Sequence, residues 1–130
     1  MSRIEDADLQ SVVRALDERF GLDALWLFGS EARGSAGDTS DVDLGALFSS
    51  RPSAEEVLSA REDLALALGR PIDLLDLDRA SPIVGMQVVR TGRLIADLVP
   101  AHRLQFLMYL PSRYEDVRIC LLYTSPSPRD

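Results

Sequence analysis

Two aspartates one residue apart, Asp41 and Asp43, and a Gly29-Ser30 pair separated from them by ten residues are the groups whose types and spacing could do chemistry. The segment Asp41-Val42-Asp43-Leu44-Gly45-Ala46-Leu47-Phe48 alternates with the period of a strand. Val42, Leu44, Ala46 and Phe48 therefore point one way and both carboxylates the other. Carboxylates side by side repel and need a compensating cation, and hard oxygen donors on a rigid strand suit Mg²⁺. Gly29-Ser30 ends the apolar run Ala24-Leu25-Trp26-Leu27-Phe28, which reads as a buried strand, and turns the chain into Glu31-Ala32-Arg33, the first turn of a helix. Such a turn offers backbone N–H groups and a hydroxyl to a phosphate. A phosphate cradle beside metal-binding carboxylates is the equipment of phosphoryl or nucleotidyl transfer. An EF-hand fits poorly, because Gly45 stands where an oxygen ligand belongs and no glutamate closes the loop. No Walker A string is present, and the one histidine, His102, gives no Ser-His-Asp or Cys-His set.

The spacing Gly29-Ser30, ten residues, Asp41-Val42-Asp43 resembles the G-S-x10-D-x-D signature of the polymerase-β-type nucleotidyltransferase superfamily. The fuller strings, Gly29-Ser30-Glu31-Ala32-Arg33-Gly34 and Ser40-Asp41-Val42-Asp43-Leu44, are similar to its minimal nucleotidyltransferase branch, and the resemblance spans Leu9 to Leu98. It implies an α/β (α+β) core with a small, twisted, mixed sheet and an active site between the first and second strands. It also implies that Asp41, Asp43 and a third acidic residue on a neighbouring strand are catalytic and hold two Mg²⁺ ions. Asp73 is the candidate, since strand alternation sets it opposite Ile72 and Leu74. Asp76 shares the parity of those two apolar residues, so Asp76 and Asp78 read as strand-end and turn residues. By the same resemblance Gly29 and Ser30 bind the terminal phosphates of ATP. Arg33 steadies the triphosphate, with pairing to Asp38 or Asp41 as the alternative.

Members of this branch are commonly encoded beside a HEPN-domain ribonuclease toxin and act as its antitoxin by transferring AMP from ATP to a toxin tyrosine. The resemblance thus implies a Mg-dependent protein adenylyltransferase with a HEPN toxin as partner. Two other readings stand beside it. One is nucleotidylation of a small hydroxylated antibiotic, although such enzymes usually carry an additional C-terminal helical domain. The other is an antitoxin that acts by binding alone, against which the three aspartates weigh.

The elements that must position these groups follow from periodicity and caps. Ile4, Leu9, Val12, Val13, Leu16 and Phe20 mark a helix over Glu5–Phe20, ended by Gly21. After the Asp41–Phe48 strand, Ser53-Ala54-Glu55-Glu56 is a capping box for a helix to Leu68, with Val57, Ala60, Leu64, Ala67 and Leu68 inward and Gly69 at its end. Pro71–Leu77 predicts a third strand, Ser81-Pro82 a helix to about Arg90, and Leu94–Ala96 a fourth strand. Ala101–Ile119 reads as mostly helical, with Leu104, Leu107, Met108 and Leu110 apolar and a break or kink at Pro111. Trp26 is expected in the core, His102 on the surface without a partner, and Tyr109 and Tyr114 without an assigned role.

A length of 130 residues suits one domain. A net charge of −7 argues against a broad grip on nucleic acid and would suit a basic partner protein. No apolar run reaches the roughly 20 residues of a membrane helix. The N-terminus is unlike a secretory signal, and one cysteine permits no internal disulfide, in keeping with a cytoplasmic location. The Pro/Ser-rich segment from Cys120 to Asp130 looks like the translation of a transposon-end sequencing adapter. It is expected to be disordered, leaving residues 1–119 as the nucleotidyltransferase domain with its native C-terminus cut short.

Overall fold

The computed structural model describes residues 4–29 and 41–124, with side chains as far as residue 120. The expected helical turn at Glu31–Arg33, and with it the candidate site residues Ser30 and Arg33, lies outside the described residues, as do residues 125–130.

The chain opens with helix α1 (Asp6–Phe20), whose Leu9, Val12, Leu16 and Phe20 form one buried stripe. Gly21 ends it at φ 73°, its N–H donating to the Asp17 carbonyl. Strand β1 (Leu22–Phe28) follows at once, two residues earlier than the apolar run suggests. Strand β2 (Val42–Phe48) returns antiparallel to β1. Helix α2 (Ala54–Leu68) begins on the expected capping box: Ser53 Oγ accepts from the Glu56 N–H at 3.1 Å, and the Ser53 N–H donates to Glu56 Oε1 at 2.8 Å. Gly69 closes it in the left-handed region, at φ 68°. Strand β3 (Ile72–Asp76) lies parallel to β2, a pairing that needs a crossover such as α2 provides. Helix α3 (Pro82–Thr91) is capped by Ser81 with Pro82 in its first turn. Strand β4 (Arg93–Asp97) adds antiparallel to the free edge of β1. Helix α4 (Pro100–Thr124) completes the fold and enters the adapter-like segment.

The four-stranded sheet has the order β3-β2-β1-β4 and is mixed, as expected. One face carries Leu25, Leu27, Val42, Leu44, Ala46, Ile72 and Leu74, packed against the stripes of α1 and α2. The other carries Ala24, Trp26 and Leu47, packed against Val88 of α3 and Phe106 and Leu110 of α4. Trp26 is in the core as predicted, with its ring 6.2 Å from that of Phe106.

Helix α4 departs from its sequence reading at Pro111. It runs through Pro111 without a break. A proline inside a helix costs about 3 kcal/mol, and burial of Phe106 and Leu110 on the preceding turn opposes that cost. Of its four expected apolar residues, Leu110 is buried and Leu107 packs against the same cluster, while Leu104 and Met108 are exposed.

His102 is a correction too. It is not a partnerless surface residue but a bridge. Its Nδ1 lies 2.6 Å from Asp23 Oδ2 and its Nε2 lies 3.0 Å from Asp78 Oδ2. Asp23 is buried on β1 and also accepts from the Ser49 hydroxyl. The bridge thus ties α4 to β1 and to the turn after β3. Partial burial disfavours a charge on His102, but the hydrogen bonds to Asp23 and Asp78 outweigh it and raise the pKa above 6.5. A raised folded-state pKa stabilises fully below the unfolded value and stops doing so as pH rises through the folded value. Chemical denaturation should therefore show the wild-type advantage over His102→Gln largest below about pH 6.5 and diminished at alkaline pH.

Candidate nucleotidyl-transfer site

Asp43 and Asp73 stand at partnered positions of the parallel β2–β3 ladder. Their neighbours Val42, Leu44, Ile72 and Leu74 are buried under α1 and α2. Alternation therefore turns both carboxylates to the opposite face. On that face the α3 and α4 cluster gathers around Trp26, Leu47 and Leu77, towards the other end of β2 and β3. Asp43 is half-buried, while Asp41, just before β2, is exposed. Across the other ladder Asp43 partners Phe28, and Gly29 follows directly.

Gly29 has φ 76°, a conformation L side chains rarely adopt, and a Cβ there would collide with Asp43 Oδ2. The glycine thus lets the backbone lie directly against the carboxylate. The structure brings Gly29, Asp43 and Asp73 together and leaves Asp41 at their margin.

The electrostatics are unfavourable as they stand. Burial, then repulsion from Asp73 and from Asp41, raises the pKa of Asp43 above 3.8. Ionising Asp43 in the fold therefore costs stability, and that cost grows as pH rises from the unfolded value through the folded one. A divalent cation would relieve it, so the donor set suits Mg²⁺ chemically. Among the described residues, however, no three acidic or other ligating side chains close around a single metal position.

Asp73 is paired with a residue the sequence reading missed. Arg61 of α2 sends Nη1 to within 3.3 Å of Asp73 Oδ1, with both side chains about two-fifths exposed (39% and 43%). Arg61, Asp41 and Asp73 share a shallow groove. Arg61 follows Ala60 of the buried α2 stripe, which puts it on the flank of a helix that packs beside β3. That adjacency, once a parallel crossover is assumed, is the only sequence signal that pointed to it. Asp76, at the end of β3, accepts from the Asp78 N–H and faces Arg79 Nε at 3.4 Å.

Comparison with known proteins identifies the family. The family described as "Polymerase beta, Nucleotidyltransferase" matches residues 10–98. The chain belongs to this nucleotidyltransferase family. A curated relative, the protein adenylyltransferase MntA of Thermococcus cleftensis, is 34% identical over 79 residues, which are 58% of this chain and 80% of that protein. Among solved structures, a toxin–antitoxin with AMP-PNP is similar at 24% identity and TM-score 0.79, with 92% of this chain and 94% of that one covered. A tri-AMPylated Shewanella oneidensis HEPN toxin in complex with MNT antitoxin gives 22% identity and TM-score 0.76, with 92% and 94% covered. At these identities the two structures speak for the fold. Among the described residues no helix is long and apolar enough to cross a membrane.

Two stability outcomes follow from the site. Asp43→Asn should raise the melting temperature in EDTA at neutral pH, because it removes the repelled charge and keeps the shape. Gly29→Ala should lower stability by about 1–2 kcal/mol from the left-handed backbone alone, with more from the collision, as read by urea denaturation.

Proposed function

We propose that this nucleotidyltransferase is an antitoxin that transfers AMP from ATP to a tyrosine of a cognate HEPN ribonuclease toxin. The observation that carries the reading is the apposition of Asp43 and Asp73 on adjacent strands with the Gly29 backbone against Asp43. The identity to a curated protein adenylyltransferase supports the choice of reaction. The fold shared with antitoxins of HEPN toxins supports the choice of acceptor.

In this reading Gly29 and Ser30 receive the terminal phosphates of ATP, and Arg33 steadies them. Asp41, Asp43 and Asp73 would hold Mg²⁺, two ions in the full site, which when bound would neutralise charge on the phosphates and favour ionisation of the attacking hydroxyl. Asp73 first parts from Arg61. The tyrosine oxygen attacks the α-phosphorus in line. A new phosphorus–oxygen bond forms, the bond to the β-phosphate bridge breaks, and pyrophosphate leaves. The tyrosine proton passes to the Asp73 carboxylate. The product tyrosine carries added bulk and negative charge, which opposes RNA binding by the toxin.

Incubation with α-labelled ATP, Mg²⁺ and the cognate toxin should label the toxin on tyrosine. Asp41→Asn/Asp43→Asn should lower the labelling rate by about a hundredfold or more. Equal labelling by wild type and variant would refute the assignment. Toxin neutralisation in cells by that variant without labelling would favour an antitoxin that acts by binding only.

A further inference from the structure

A second concavity opens at the far end of β2 from Asp43, five residues along the strand and on the order of 16 Å away. It holds about 530 Å³ and is lined in part by Arg51, Arg79, His102, Phe106, Tyr109 and Arg113. That size lies within the range of small-molecule sites, about 300–1,000 Å³.

Its charge is unlike the rest of the chain. The whole sequence carries 14 basic residues against 21 acidic, yet three arginines and the only histidine meet here. The two carboxylates on its wall are already engaged. Asp76 accepts from the Asp78 N–H at 3.1 Å and faces Arg79 Nε at 3.4 Å. Asp78 faces His102 Nε2 at 3.0 Å. Among the described residues Arg51 and Arg113 have no hydrogen-bonded or ionic partner. Guanidinium forks left free in a concave site match phosphate oxygens two at a time.

The remaining lining is aromatic. Phe106 is buried and backed by Trp26. One helical turn on, Tyr109 is 56% exposed. An exposed aromatic face beside free arginines is a stacking platform for a base.

We propose that this cleft binds a mononucleotide, with its phosphate on Arg51 and Arg113 and its base on Tyr109, at a site separate from the transfer centre. Arg51 follows β2 and Arg113 lies beyond Pro111 on α4. A bound phosphate therefore joins the second half of α4 to the sheet.

The full chain carrying Asp41→Asn/Asp43→Asn, in EDTA, keeps the transfer centre idle and serves as the test protein. Titration with AMP by calorimetry should give saturable binding and a raised melting temperature. Adding Arg51→Ser/Arg113→Ser should weaken AMP binding by about tenfold or more, the scale of one lost charged hydrogen bond. Arg51→Ser alone, at an exposed position, should weaken it in the same direction and guards against misfolding of the pair. Tyr109→Ala should weaken AMP but leave inorganic pyrophosphate unchanged. Absence of saturable AMP binding at millimolar concentration overturns the proposal, as does unchanged affinity in the folded arginine variants. Pyrophosphate bound as tightly as AMP, with no effect of Tyr109→Ala, overturns the mononucleotide assignment. Toxin labelling is not read in this experiment, so its outcome is separable from that of the transfer reaction.

Discussion

Like charges do not gather on a half-buried sheet face unless the backbone holds them there. The parallel β2–β3 ladder does so, fixing Asp43 and Asp73 at partnered positions. Buried residues on either side of each aspartate, Val42 and Leu44 on β2, Ile72 and Leu74 on β3, keep that register. Hydrophobic burial on one face is thus spent on electrostatic tension on the other. Neutralising charge brought to this face would relieve that tension.

The two faces of the sheet divide the labour. The α1–α2 layer packs the larger apolar cluster and sets strand register. The α3–α4 layer packs a smaller one around Trp26, Leu47 and Leu77, and the carboxylate pair lies towards the other end of the strands. Strand β1 is central to both ends. Its last residue, Phe28, partners Asp43, while near its start Asp23 anchors His102 of α4. Arg61 shows a comparable economy: a cation from the packing helix sits against Asp73 and offsets part of the charge on that face.

What could be read in the sequence was what is decided locally. Capping boxes, glycine ends and strand parity are settled within a few residues, so the Ser53 and Ser81 caps and the side taken by Asp73 were legible. The β1 start was not, because Asp23 interrupts the apolar run and its burial depends on His102, 79 residues away. Helix continuity through Pro111 was hidden for a similar reason: tertiary packing of Phe106 and Leu110 overrides a local breaker. The Arg61–Asp73 pair and the arginine-lined cleft both join elements distant in sequence, and no short-range pattern encodes either. The Gly29 conformation was legible only as a preference for glycine; the contact with Asp43 required the β1–β2 register.

The short link Gly69-Arg70-Pro71 between α2 and β3 bears on evolution. The Pro71 carbonyl accepts from the Val42 N–H at 3.0 Å, which starts the ladder. Because side chains alternate strictly, a one-residue slip of β3 against β2 would transpose Asp73 and its apolar neighbours between the two sides of the sheet. Divergence must therefore preserve that one pairing, which the buried neighbours of both aspartates enforce.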